Sequence, residues 1–96
     1  MSFTGYELVS DEFVIGAEGD PWVNATLTAP EGKLFLGTGG WAITNPLNNT
    51  TRYLLTESGI KYGGSRLFFT WRRDGAEPDL ERTITVYGVA AEVADD

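Results

Sequence analysis

The sequence predicts an all-β fold, a compact antiparallel β-sandwich of jelly-roll-like form, with a partly closed β-barrel as the alternative. Three observations carry that prediction. Apolar runs are short, rich in β-branched and aromatic residues and alternate with a period of two, while helical spacing is nearly absent. Twelve glycines and four prolines punctuate the chain between those runs. A chain of 96 residues holds one core, so sheets with one apolar face each must bury those faces against one another.

Residues 1–5 (MSFTG) read as a flexible N-terminal arm with Phe3 as an anchor, residues 6–93 as one β-sandwich domain and 94–96 as a frayed tail. The first strand is expected over Tyr6 to Ile15, with Ser10-Asp11 as a candidate break, and Gly16 to Pro21 as a turn. Trp22 to Thr28 alternates: Val23, Ala25 and Leu27 face the core, leaving Trp22 near an edge or an interface. Ala29-Pro30-Glu31-Gly32 reads as a turn with Pro30 at the position of fixed φ. Lys33 to Thr44 is a third strand region interrupted at Gly37-Thr38-Gly39-Gly40, and residues 45–50 form a polar loop. Arg52 to Glu57 is a fourth strand ending in a turn at Ser58-Gly59, with Ile60 to Gly64 as loop. Ser65 to Arg73 is the clearest strand, its core face being Leu67, Phe69 and Trp71. After a loop over 74–79, Glu81 to Val93 turns Ile84, Val86, Gly88 and Ala90 one way. Its nearly continuous apolar end suggests a central strand covered on both sides. Phe13, Phe35, Trp41, Phe69 and Trp71 supply the aromatic core.

The glycines at 37, 39 and 40 raise the question of a phosphate cradle. A P-loop needs a lysine and a hydroxyl at fixed positions followed by a helix, and neither follows here. Pro30, Gly32, Gly37, Gly39 and Gly40 are therefore read as turn and bulge residues, with Trp41 or another aromatic lying over the glycines.

Charge and composition narrow the function classes. The net charge of −7 argues against a nucleic-acid partner and against docking on anionic membranes, since both need a basic footprint. Neither cysteine nor histidine occurs, which removes the thiolate and imidazole chemistry of most nucleophile, general-base and metal sites. The start MSFTGYELVSDE lacks the pattern of a secretory signal, and no apolar stretch reaches membrane-spanning length. Acids cluster at Asp11-Glu12, Glu18/Asp20 and Asp74/Glu77/Asp79, in loops where solvation is the default. A calcium site over Asp74 to Asp79 lacks EF-hand spacing and stays an open question. No enzyme activity and no cofactor are expected.

The stretches Ala29-Pro30-Glu31-Gly32-Lys33, Leu36-Gly37-Thr38-Gly39-Gly40 and Val86-Tyr87-Gly88-Val89-Ala90-Ala91 resemble a small glycine-rich β domain family of actinobacteria and their phages. Its pattern is roughly cysteine-proline-x-glycine-lysine, leucine-glycine-glycine-glycine and a closing tyrosine-x-valine-cysteine-alanine strand. The resemblance covers most of the chain, through short, glycine-driven anchors. Its members resemble no enzyme class, and some look like virion or surface proteins. Ala29 and Ala90 stand where that pattern has cysteines. If those cysteines are bridged in relatives, the resemblance implies that Ala29 and Ala90 are neighbours, within roughly 7 Å between Cα atoms.

The expected function is that of a non-enzymatic phage virion protein, a capsid decoration or head or tail accessory assembled in the bacterial host cytoplasm. It would act as a homo-oligomer, a trimer by preference because shells offer local threefold sites, against the major capsid protein or another virion protein. The alternative is a carbohydrate- or host-surface-binding module. Candidate interface residues are Phe3, Trp22, Tyr53, Tyr62, Phe68, Arg72 and Arg73, because surplus aromatics and arginines mark interface centres.

Overall fold

A computed structural model describes residues 2–15, 21–44, 52–74 and 81–94 of the chain. Its strands are β1 (Ser2–Ile15), β2 (Trp22–Thr28), β3 (Lys33–Phe35), β4 (Gly40–Ile43), β5 (Arg52–Lys61), β6 (Arg66–Asp74) and β7 (Arg82–Ala94), with a short 3-10 turn at Tyr62–Gly64. They form two antiparallel sheets packed face to face. In one, β7 is central, flanked by β1 on one side and by β3 and β4 in succession on the other. In the other, β6 is central between β2 and β5. β1 pairs β7 and β2 pairs β6, so the two halves of the chain wind together across both layers in the jelly-roll-like course expected. The ladders form two distinct sheets, so the sandwich and not the barrel describes the molecule.

Alternation along β6 and β7 builds the core. Leu67, Phe69 and Trp71 of β6 face Ile84, Val86 and Ala90 of β7, and all six are buried. Burying a large apolar side chain contributes about 1.5–3 kcal/mol, so the five larger of these, all but Ala90, dominate the gain from joining the sheets. Trp71 stacks on Phe69, its neighbour along the same face, at 5.7 Å between ring centroids, and Trp41 meets Trp71 edge-on at 5.5 Å. Phe35 is buried with them, while Phe13 and Trp41 pack half-buried at the margin, so the expected aromatic core is complete. Ala90 is buried in the same cluster, and Ala29 is among the partly buried residues packed against that cluster as a whole.

The glycine-rich stretch is the bend between β3 and β4. Leu36 N–H reaches the Val89 carbonyl (2.8 Å), holding the bend to β7. A Cβ on Gly40 would lie 2.7 Å from the ring of Tyr87, its cross-strand partner, and one on Gly39 would strike the Tyr87 carbonyl. The aromatic laid over the glycines is thus Tyr87. Gly37 and Gly39 hold φ of +89° and +70°, as the bend requires.

Five expectations are corrected. Residues read as a terminal arm are, from Ser2 on, the start of β1: Ser2, Phe3 and Thr4 pair with Ala94, Val93 and Glu92. β1 is continuous at Ser10-Asp11, and its irregularity falls between Thr4 and Glu7, where Gly5 has φ +62°. The turn before β3 closes one residue later than expected: Lys33 N–H bonds to the Pro30 carbonyl (3.0 Å), with Gly32 at φ +81°. Pro30 therefore opens that turn. No turn occurs at Ser58-Gly59. β5 runs on to Lys61 because Gly59 leaves room for the Phe68 ring opposite it, 2.9 Å from where a Cβ would sit. Finally, β7 is central but its outer face is covered only in part: Ala91 is buried, whereas Tyr87, Val89 and Val93, of the same parity, are exposed.

Candidate protein interface on the three-stranded sheet

Because β6 turns its odd residues to the core, its even residues face out together with their partners on β2 and β5. The outer face reads in cross-strand rows: Trp22, Arg72 and Leu54; Asn24, Thr70 and Glu57; Thr26, Phe68 and Gly59; Thr28, Arg66 and Lys61. Strand pairing thereby gathers candidates that are far apart in the chain. Trp22, 45% exposed, lies under the Arg72 guanidinium at 5.6 Å. Phe68 carries the Lys61 ammonium 4.2 Å from its ring centre. Tyr62, 71% exposed beyond the end of β5, receives Arg66 at 5.1 Å. Each contact adds about 0.5–1 kcal/mol at an exposed site. The Thr70 hydroxyl donates to Asn24 Oδ1 (2.8 Å), tying β2 to β6 in the middle of the face.

This concentrates Lys61, Arg66 and Arg72 on one surface of an acidic protein, and none of the three makes an ion pair with a described residue. Among the described residues, acids lie mainly elsewhere: β1 carries Glu7, Asp11 and Glu12, of which Glu7 is bridged by Lys33 at 2.6 Å.

Three candidates fall outside this face. Tyr53 is only 8% exposed, part of the core, and so cannot anchor a partner. Its ring lies 5.2 Å from the guanidinium of Arg82, itself buried at the start of β7, so this stack joins the two sheets across the core. Arg73 is half-buried beside Tyr53, and its N–H donates to the Pro21 carbonyl (2.7 Å) to prolong the β2–β6 ladder. Phe3 lies on the other sheet opposite Val93.

There the sequence reading missed a second surface. The outer face of the four-stranded sheet sets Leu8 directly beside Val89 and Phe3 beside Val93, with Tyr87 and Val14 further along, all exposed. The alternation of β7 carries the signal, because Tyr87, Val89 and Val93 share a parity, but an apolar run of that length reads equally as a strand covered on both faces.

Among the described residues, no group of three or more Asp or Glu side chains could hold a metal ion. Asp74 ends β6, and the rest of the suggested calcium loop, like Glu18, Asp20 and the loop over 45–50, lies outside the described residues. Comparisons with family models, with curated proteins and with solved structures give no significant match to this chain.

Proposed function

We propose that the chain is a non-enzymatic assembly protein acting through protein–protein contacts, and that its setting is a phage virion, as capsid decoration or as a head or tail accessory. One observation carries the assembly reading. A thin two-layer body of 55 × 21 × 16 Å exposes large apolar side chains on both outer faces, and on the four-stranded sheet they stand in direct cross-strand register, Leu8 beside Val89 and Phe3 beside Val93. Contiguous exposed apolar rows mark interaction surfaces, and aromatics with arginine are typical of interface centres. The virion setting rests on the glycine-rich stretches and the closing β7 strand, whose residues resemble the phage-associated family. The carbohydrate-binding alternative is less favoured, because the Trp22 ring is taken by Arg72 and the Asn24 side chain by Thr70.

The test is quantitative mass spectrometry of purified phage particles from a host that produces the protein. A fixed ratio of this chain to the major capsid protein is expected. Finding it only in the particle-free fraction would discard the virion setting. Quenching of Trp22 fluorescence by a neutral oligosaccharide, abolished by Trp22→Ala, would move the reading to the carbohydrate module.

A further inference from the structure

We propose that β5 is the seam of a twofold homodimer, in which two copies pair antiparallel with Gly59 opposite Gly59 and Glu57 of each copy opposite Lys61 of the other. This names a partner for one edge of the molecule and holds whether or not the particle setting is correct.

β5 is an edge strand: among the described residues it pairs with β6 alone, so its other side presents main-chain donors and acceptors to whatever can continue the sheet. Its charges have an arrangement that the isolated chain does not explain. Lys61 stands directly opposite Arg66, and like charges placed so are destabilising. Glu57, four residues back on the same outer face, makes no ion pair with a described residue. In an antiparallel pair of identical strands, residues equidistant from the centre oppose each other. Centring on Gly59 therefore sets Glu57 against Lys61 twice, answering the unpaired carboxylate and relieving the Lys61–Arg66 repulsion together. Centring on Ser58 instead sets Glu57 against Gly59 and Lys61 against Leu55, while centring on Glu57 brings two carboxylates together.

The centre of the seam suits close approach. Gly59 has no side chain, and Phe68 already lies across it with Lys61 above the ring. Two Phe68 rings would roof the junction. On the inner side Ile60, 41% exposed at the open edge, would gain Ser58 of the second copy as its neighbour and lose water. The other long edge cannot do this: β1 carries Glu7, Asp11 and Glu12 and no base, so no self-pairing of it sets opposite charges against each other. β2 is uncharged, and charge selects no register for it.

The bulge between Leu55 and Glu57 and the turn at Tyr62, in the left-handed region at φ +55°, bound the seam at five residues per copy. A seam so short dissociates on dilution, so mass must be read against concentration. The result would be a continuous six-stranded sheet whose outer face doubles the Trp22, Arg72 and Phe68 rows, a twofold plate in place of the trimer expected from the sequence.

Light scattering over about 1 to 100 μM tests this. The wild-type chain is expected to rise toward twice its 10.5 kDa. Glu57→Lys and Lys61→Glu each bring like charges together and should weaken association at least about tenfold, a loss of about 1.4 kcal/mol. The double variant Glu57→Lys/Lys61→Glu restores both pairs and should dimerise again. An equimolar mixture of the two single variants should form mixed dimers. There the introduced lysine of one copy meets the introduced glutamate of the other, and the unchanged Lys61 meets the unchanged Glu57. Circular dichroism confirms folding, and Glu57→Gln with Lys61→Gln replaces any swap that fails it. A wild-type chain that stays monomeric, a trimer, or single variants that associate as well as wild type would each overturn the proposal. Absence from phage particles would not bear on it.

Discussion

The central strands β6 and β7 solve the same problem from opposite sides of the core, and they differ in what they turn outward. Inward, each gives alternate apolar residues to a shared interior, and each lays an outward aromatic over a glycine of the neighbouring strand: Phe68 over Gly59, Tyr87 over Gly40. Outward, β6 pairs its aromatics and those of its neighbours with cations, whereas β7 leaves Tyr87, Val89 and Val93 beside the uncharged Ser10, Leu8 and Phe3 of β1. The same glycine–aromatic device is therefore locked from above on one sheet and open to solvent on the other. A surface stabilised by its own contacts and a surface awaiting contact can share one backbone plan.

The largest effect should come from what the two strands share. Trp71→Ala removes a fully buried ring that touches both Phe69 and Trp41, and should cost about 3–5 kcal/mol in chemical denaturation. A loss below about 1 kcal/mol would mean that the sheets do not meet through Trp71. A smaller change separates the two devices. Gly59→Ala drives a Cβ into a half-buried Phe68 ring held under Lys61, and should cost about 1–3 kcal/mol. Gly40→Ala meets the more exposed Tyr87, free to swing outward, and should cost less; equal costs would erase the distinction between locked and open rings. The smallest effect lies on the surfaces themselves. A double-mutant cycle on Trp22 and Arg72 should return a coupling of about 0.5–1 kcal/mol. Leu8→Ala, on the open face, should leave stability within about 0.5 kcal/mol while weakening partner binding there.

Much of this plan is legible in the chain. The alternation of Leu67, Phe69 and Trp71 with Arg66, Thr70 and Arg72 favours one burial pattern even with Phe68 among the outward residues, because a strand shows its two faces in strict turn. Likewise Trp22 is exposed, as its parity against Val23, Ala25 and Leu27 implies. Gly59 is harder. In sequence Ser-Gly reads as a turn, and only the ring across the ladder explains a glycine in mid-strand. Tyr53 counts as surplus aromatic area until a buried arginine from the other sheet is set against it.

By itself, then, the sequence determined the all-β class, the inward residues of β2 and β6, and the bend at Gly37–Gly40, because local periodicity and glycine geometry act within a few residues. Tertiary structure alone decided which strands became neighbours. That choice placed Tyr87 over Gly40, joined Ser2–Thr4 to the end of β7, and set Lys61 opposite Arg66. Pairing is a long-range match between segments that carry similar patterns. Its outcome depends on how both sheets bury their apolar faces at once, and no short stretch encodes that.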